Sequence, residues 1–465
     1  MTVNSSSNFN SGGAYGTGDV EPYIQSKVMP LVQRQLVAYQ FGEMLRLPKG
    51  RGTTYAGSRY DRLNLPTAPL SEGVPPTGES MPLAQVSAVA QQWGDKVTIT
   101  DVAEFTIKHP LFQVATKLVA MQMAETLERN TYTNLLGGTQ INYASYDGTA
   151  RGSRAGIRNG GTAATSDILT SHEINRAAGA MYTIGAPQFM GQREEDAKIE
   201  AGKPSRGSDS PKGFQHYVAL IHPLPEQDMR ENSTVATAWS YSDVNKLYNN
   251  ELGEWGGLRF CRSNMIPFFV GVANSNYTVT PGTAGNMATG TYYVVVTGSP
   301  AQQNYEQQIY LVSASQTVNG PNGSLTVTVP TKAGYVFNVY VGTTNTPVNL
   351  GLSVSGPTSG PLQGQAVQLA SGSTVTITGV GLAQVPPAPP AAGITVFPTF
   401  VIGESAYGQV MLDDPKFTYL KTADKSDPLN QLRVIGWKVM YGTLLQNQNF
   451  FMRIESTSLF TPTFQ

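Results

Sequence analysis

Four histidines and one cysteine are the side chains of this 465-residue sequence best suited to hold a metal or carry a proton. The histidines are His109, His172, His216 and His222. A helical zinc site needs two imidazoles one turn apart with a carboxylate between them, the pattern H-E-x-x-H. "SHEINRA", 171–177, starts that way, but Arg176 stands where the second imidazole is required. His216 and His222 flank a strand-like run, so nothing in their spacing brings them together, and both read as surface or strand-end residues. Cys261 follows Phe260 in "GGLRFCRSN" and reads as a small core residue, not a nucleophile.

Other chemistry is equally thin. No G-x-x-x-x-G-K-[ST] phosphate loop and no G-x-S-x-G nucleophile elbow is present. "GAYGTG", 13–18, is glycine-rich but sits in a polar arm without strand-turn-helix context. The charge run "EEDAKIE", 194–200, reads as solvated, and Met121 and Met123 read as helix packing. Arg46, Lys49, Arg51, Arg59 and Arg62 form a basic stretch without the interleaved aromatics of a single-strand binder. The expectation is therefore no catalytic residue, no cofactor-binding residue, no metal ligand, no cofactor, and a protein that is not an enzyme.

With no site to position, the elements must be read for architecture. Net charge is -1 and charged residues make up 14% of the chain, which argues against strong electrostatic attraction to nucleic acid or anionic membrane. A single cysteine rules out an intrachain disulfide. No window of about 18 apolar residues suggests a membrane helix, and the polar N-terminus lacks the order of a signal peptide. A Ser/Asn/Gly-rich arm, 1–24, precedes a helix expected over Pro22 to Leu45. Residues 50–98 read as a long two-stranded arm with a Pro/Gly/Ser tip. Pro110 to Leu136 reads as the strongest helix, with Leu111, Ala115, Leu118, Val119, Met123 and Leu127 as its apolar stripe and Gly137-Gly138 as its stop. Thr170-Ser171-His172-Glu173 is a capping box that should open a second helix. "HYVALIHP", 216–223, reads as a buried strand, and a further helix is expected over 242–248. "KSDPLNQLRVIGWKVMYGTLL", 425–445, opens with an Asp427-Pro428 turn and runs into a strand-like stretch, with Ile435, Trp437, Val439 and Tyr441 on one face and Val434, Gly436, Lys438 and Met440 on the other, as suits a strand covered on both sides.

Composition breaks near residue 272. Between Ser263 and Gly403 the only charged residues are Glu306 and Lys332, and short β runs recur, as in "TYYVVVTG" and "YVFNVYVG". This reads as a β-sandwich inserted into a host domain, closed by the Pro/Ala stretch "VPPAPPAAG", 385–393, which should be extended and stiff.

Four segments outside the insert carry a resemblance: "PTGESMPLAQVSAVAQQWGDKVTITD" with "MAETLERN", then "HYVALIHPLPEQDMR", "YNNELGEWGGLRF", and "VIGESAYGQV" with "SDPLNQLRVIGWKVMYGTLLQNQNFFMRIES". In this order the chain resembles the major capsid proteins of tailed bacteriophages, in the group typified by N4-like phages. The resemblance implies an α+β fold of the Hong Kong 97 type, divided into an N-terminal arm (1–49), an E-loop (50–98), spine helix with P-domain and A-domain (99–271), the insert (272–396) and return strands completing the core (397–465). The insert resembles immunoglobulin-like or fibronectin type III-like modules through "GTYYVVVTG" and "AGYVFNVYVGT", without the Cys…Trp…Cys pattern of a true immunoglobulin domain. The implied partners are further copies of the chain in hexamers and pentamers, portal and scaffolding proteins, a decoration protein and non-specifically contacted double-stranded DNA, with no membrane. The implied location is the virion, assembled in the host cytoplasm. The rival reading is a surface-binding or adhesin-like virion protein whose β module binds carbohydrate, through tyrosines such as Tyr292, Tyr293, Tyr310, Tyr335 and Tyr340.

Overall fold

The computed structural model describes residues 37–48, 50, 52–60, 63, 65, 69, 78–106, 111–190, 215–232, 235, 250–300, 306–345, 351–352, 369–378, 386–420 and 431–460. The expected polar arm, His109, "GAYGTG", "EEDAKIE" and the helix over 242–248 lie outside these residues, as do Lys49, Arg51 and Arg62. The described chain is mixed α and β, as expected. It forms two units, the smaller built from Gln92–Met123 and Asp414–Val439, the larger from Arg34–Gln91, Ala124–Asp413 and Met440–Gln465.

In chain order, strands β1 to β4 are Glu43–Arg46, Thr54–Tyr60, Leu83–Val89 and Gln91–Thr100. Helices α1, Asp101–Thr106, and α2, Leu111–Leu136, follow. β5 is Ile141–Tyr143, α3 is Ser171–Ile184, β6 is Phe189–Met190, β7 is Gln215–Ile221 and α4 is Pro223–Glu231. β8, β9 and β10 are Glu251–Trp255, Leu258–Arg262 and Phe269–Val272. The low-charge region supplies β11 (Thr278–Met287), β12 (Gly290–Pro300), β13 (Gln308–Tyr310), β14 (Gln316–Val318), β15 (Gly323–Thr328), β16 (Tyr335–Gly342), β17 (Gly351–Leu352), β18 (Leu369–Ala370) and β19 (Thr374–Ile377). The chain closes with β20 (Thr395–Ile402), β21 (Tyr407–Leu420), β22 (Leu432–Leu445) and β23 (Phe451–Ser456).

The heart of the larger unit is a sheet in which β20 lies between β10 and β7, β7 pairs in parallel with β9, and β23 pairs with β20. β20 is buried at every position. Alternation explains this. Phe400, Ile402, Val218 and Leu220 face a core shared with Tyr132 and Leu135 of α2 and with Val37, Ala38 and Phe41. Val401, Tyr217, Ala219 and Ile221 face the other way, onto Ile174, Ala177, Ala178 and Met181 of α3 and Met229 of α4. A sheet covered on both faces needs apolar side chains at successive positions, which "TVFPTFVI" and "HYVALI" supply.

α2 begins one residue after Pro110 and ends at Leu136, as its sequence predicts. Gly138 follows because Phe451 lies so close that a Cβ there would overlap its ring. Ala115, Val119 and Leu127 of the predicted stripe are buried, whereas Leu118 is 42% exposed. The helix expected from Pro22 does not continue through the described residues: Ala38–Phe41 is a 3-10 turn and Glu43–Arg46 is a strand, pairing in parallel with β21. Thr170 does start α3, but makes no side-chain capping bond. Glu173, expected to complete the capping box, is buried and accepts a hydrogen bond from Asn142 Nδ2 at 2.9 Å. β22 buries Ile435, Trp437, Val439 and Tyr441, while its other face is only partly covered and Lys438 is exposed.

The low-charge region forms two packed sheets. β11, β15 and β19 make one, and β12 with β16 forms the centre of the other. Val294, Val296, Leu325, Val327, Phe337, Val339 and Val341 fill the space between them. The module is not a separate body, however. β13 pairs with both β12 and β10, so its larger sheet runs without interruption into the host sheet. The outer side of that join is also buried, where Phe269, Val295, Ile309 and Tyr340 pack with Leu136 at the end of α2. The Pro/Ala stretch is no spacer either. Gly271 approaches it so closely that a Cβ would overlap the Ala391 carbonyl, and Pro386, Pro389 and Pro390 are buried. Packing against the body overrides the intrinsic tendency of such a stretch to stand free.

Candidate assembly site

β2 and β3 form a two-stranded antiparallel ribbon with Thr54 opposite Val89 and Tyr60 opposite Leu83. Alternation gives it two different faces. Tyr55, Val86 and Ala88 lie on the inner face and pack at the base on Ala90, Val410 and Leu444. Thr54, Ala56, Ser58, Tyr60, Leu83, Gln85, Ser87 and Val89 lie on the exposed face. The far end is more apolar than a solvated surface requires: Tyr60 is 63%, Leu65 86% and Met81 69% exposed. Ala90 N donates to Thr53 O at 2.8 Å and Arg59 Nη1 to Gln446 O at 3.3 Å, so the base is held to the body. An isolated two-stranded ribbon is marginally stable in water. In this one Tyr60, Leu65 and Met81 are exposed at the far end, large apolar side chains of the kind that mark interaction surfaces when they cluster.

A second arrangement holds the chain where it enters the larger unit. Glu128, on α2 and fully buried, accepts hydrogen bonds from Val37 N (2.7 Å) and Ala38 N (2.6 Å) through Oε1, and from Tyr39 N (2.9 Å) through Oε2. These amides stand at the start of the 3-10 turn, where a carboxylate is favoured by the dipole and by geometry. Burial pushes the Glu128 carboxyl up, and the three amides oppose that shift. From the opposite side Tyr407 donates its hydroxyl to Ala38 O, and Gln409 Nε2 donates to Tyr39 O at 2.7 Å. Residues 37–39 are thus gripped through both backbone donors and acceptors.

In the smaller unit, β4 pairs with β22. Trp437 Nε1 donates to Gln122 Oε1 at 3.1 Å, and Gln122 Nε2 donates to Asp95 Oδ2 at 2.6 Å. One glutamine on α2 therefore ties the two strands to the helix.

The residues that chemistry pointed to do not converge. His172 is exposed at the start of α3, 3.7 Å from Glu173. His216 is buried in β7 and stacks with Phe189 at 6.5 Å between ring centroids, and His222 is buried between Phe268 and Phe397. His216, the second residue of β7, and His222, which follows its last, are strand-end residues as expected, but neither lies on the surface, which corrects that part of the expectation: the sheet is covered on both faces. His222 Nδ1 accepts from Leu224 N at 3.2 Å, capping α4, and burial pulls its pKa down to about 4. Cys261 is buried as expected, and burial raises its thiol well above the usual range, the reverse of an activated nucleophile. Met121 and Met123 are half-buried on α2, and Arg46 is exposed. Among the described residues no group of three His, Cys, Asp or Glu is placed to hold a metal ion, and no helix is long and apolar enough to cross a membrane. Sequence reasoning missed Glu128 and Arg154. Neither carried a distinctive signal: Glu128 is one of two glutamates in "ETLERN", 125–130, and Arg154 is one of three arginines in "RGSRAGIRNG", 151–160.

No protein-family model matches the chain, and no curated protein matches it. Among solved structures, the chain is similar to the capsid of Ralstonia phage GP4 at 10% identity, covering 96% of this chain and 97% of that one, with a TM-score of 0.49. It is similar to the capsid structure of the cyanophage P-SCSP1u at 12% identity, covering 98% of each chain, with a TM-score of 0.46. A third likeness is to the acid-stable capsid structure of Helicobacter pylori bacteriophage KHP30, at 10% identity over 98% of this chain and 100% of that one, with a TM-score of 0.46.

Proposed function

We propose that this chain is the major capsid protein of a tailed bacteriophage and that it assembles with copies of itself into an icosahedral shell around double-stranded DNA. The observation that carries the reading is the β2–β3 ribbon, at whose far end the described apolar residues Tyr60, Leu65 and Met81 are exposed. A surface of this kind is completed when it lies on a neighbouring copy, and obligate interfaces bury about 2,000–5,000 Å². The resemblance of the sequence segments to phage capsid proteins supports the same assignment. In it, 50–98 serves as the E-loop, α2 as the spine helix, and the central sheet around β20 as the A-domain scaffold. Portal and scaffolding proteins, a decoration protein and the packaged DNA are the further partners, with assembly in the host cytoplasm. The protein acts by geometry, without a catalytic step. Electron microscopy of the purified full-length protein tests this: closed shells are expected, and a monodisperse population of monomers or small compact oligomers overturns it.

The adhesin-like reading needs exposed aromatics on the β module. Tyr292, Tyr310 and Tyr340 are buried and Tyr293 and Tyr335 are half-buried, which weighs against a platform built from these five.

A further inference from the structure

The N-terminal half of α2 borders a groove. Phe112, Gln113, Thr116 and Lys117 line it together with Tyr419 of β21, and its volume is about 620 Å³. The rings of Phe112 and Tyr419 stand 6.1 Å apart. Gln113 and Lys117 are exposed at its rim, whereas Phe112 and Thr116 are half-buried. Apolar side chains on the same two elements are exposed as well, Leu118 at 42%, Phe417 at 37% and Tyr419 at 48%. Clustered apolar exposure of this kind marks a surface that meets another segment.

The helix leads from this groove to a fixed point of the chain. Phe112, Thr116, Ala120, Ala124 and Glu128 follow one another at four-residue spacing, so they form a single ridge on α2. Thr116, Ala120 and Ala124 are small and half-buried, which lets a second segment approach closely. At the far end of the ridge Glu128 holds the amides of Val37, Ala38 and Tyr39. The segment that precedes Val37 is therefore tethered to α2. From Glu128 to Phe112 the helix rises over 16 positions, about 24 Å.

The chain outside the described residues supplies an occupant of the right kind and length. Residues 1–36 precede the tether, and the part next to it, Tyr23–Leu36, reads "YIQSKVMPLVQRQL". Tyr23, Ile24, Val28, Met29, Leu31, Val32 and Leu36 make half of it large and apolar. Fourteen residues span about 21 Å as a helix and about 46 Å when extended, so the segment reaches the groove in either conformation. A short tether also holds it near α2 at an effective concentration of about millimolar, which a free molecule has to exceed. We infer that Tyr23–Leu36 lies back along α2 of its own chain and fills the groove at Phe112, Thr116 and Tyr419. The exposed tip of the β2–β3 ribbon of a second copy is the competing occupant, and the tether favours the segment. Docking of this kind is a property of the single chain and is independent of the shell.

The test labels the groove. Cys261, the single native cysteine, is buried, so Thr116→Cys places one reactive thiol in the groove. In dissociated full-length protein this thiol is expected to react with a maleimide about tenfold or more slowly than in the same chain carrying Val28→Ser, Leu31→Ser and Val32→Ser, since burial of one such side chain is enough for a tenfold shift. The protection is expected to be the same at every protein concentration. Gln113→Cys, at the exposed rim, is the second probe if Thr116→Cys does not fold by circular dichroism. Equal rates with and without the three serines overturn the inference. Protection that grows with protein concentration overturns it too and assigns the groove to a second copy. Cysteine pairs identify the chain: Thr116→Cys is combined with Ile24→Cys, Val28→Cys or Leu31→Cys and oxidised. At least one pair is expected to close within one chain and to run as a monomer of altered mobility on a non-reducing gel. Disulfide-linked dimers alone, or no disulfide from any of the three pairs, would show that the segment does not lie along its own α2.

Discussion

Arg154 and Glu455, 301 positions apart, meet as a buried fork: Nε lies 2.8 Å from Oε2 and Nη2 lies 2.6 Å from Oε1. The same guanidinium donates from Nη1 to Ala388 O at 2.7 Å and lies 3.7 Å over the ring of Phe269. One side chain thus joins the last strand, the stretch returning from the β module and the strand that leads into it. Arg453 Nε stands 2.9 Å from Glu455 Oε1. Burial alone would raise the Glu455 carboxyl, but Arg154 and Arg453 outweigh it and hold it below its ordinary value.

Removing Arg154 leaves Glu455 with half its compensation in a dry site. Breaking a buried pair on one side costs roughly 3–5 kcal/mol, so Arg154→Met is expected to lower stability by that order. Arg154→Lys keeps the charge but cannot form the fork and should fall between. Urea melts of the dissociated protein measure both, and a Met variant as stable as wild type would show that the fork contributes nothing.

The ribbon makes a separate prediction. Deleting residues 66–82 removes the tip and leaves the β2–β3 pairing from Thr54 to Tyr60 intact. The variant is expected to be soluble and folded by circular dichroism, yet to form no closed shells. Normal shells from it would remove the ribbon from the assembly mechanism.

His222 makes stability depend on pH. Its folded pKa is lowered from 6.5 to about 4 by burial, so the unfolded chain binds the extra proton between those values. Its contribution is complete above about pH 6.5 and is lost as pH falls towards 4. Asp228, on the same helix, is shifted the other way: burial raises it to about 6, so it favours the folded state as pH falls through that value. The comparison that isolates the histidine is wild type against His222→Asn, which retains a capping acceptor but does not titrate. The wild-type Tm should drop more steeply than that of the variant between pH 6.5 and 4, and parallel curves would contradict the assignment.

The placement of the β module is open to direct labelling. We propose that the β module, with Thr280 exposed on β11, points outward from the shell. Cys261, the chain's single cysteine, is buried, so Thr280→Cys introduces one accessible thiol. A bulky maleimide should react with it on intact particles. Reaction only after disruption would place the module inside the shell or between subunits.

Much of the architecture was legible in the sequence because it is local. Residues 111–136 repeat apolar side chains at helical spacing after a proline and before two glycines, and every one of those signals acts within a few residues. Ile435, Trp437, Val439 and Tyr441 alternate because a strand has period two, whatever it packs against. The charge-poor region, with its recurring short β runs between turn residues, reads as strands, and strands are what its described residues form. Tertiary structure decided the rest, since the remaining questions concern which surfaces meet. Whether the module stands apart depended on β13 finding β10 as well as β12, a pairing between short runs with no distinctive pattern. Whether the Pro/Ala stretch is a spacer or a packed strap depended on Gly271 and on an arginine more than 230 residues earlier. The two histidines are strand-end residues as the sequence suggests, and only the elements packed on both faces of the sheet decide that they are buried. The β11–β15–β19 sheet shows the division most plainly: each Thr-Val-Thr, at 278–280, 326–328 and 374–376, is an ordinary amphipathic strand by itself, and only the register of the three strands, whose valines share one core, places the six threonines on one face.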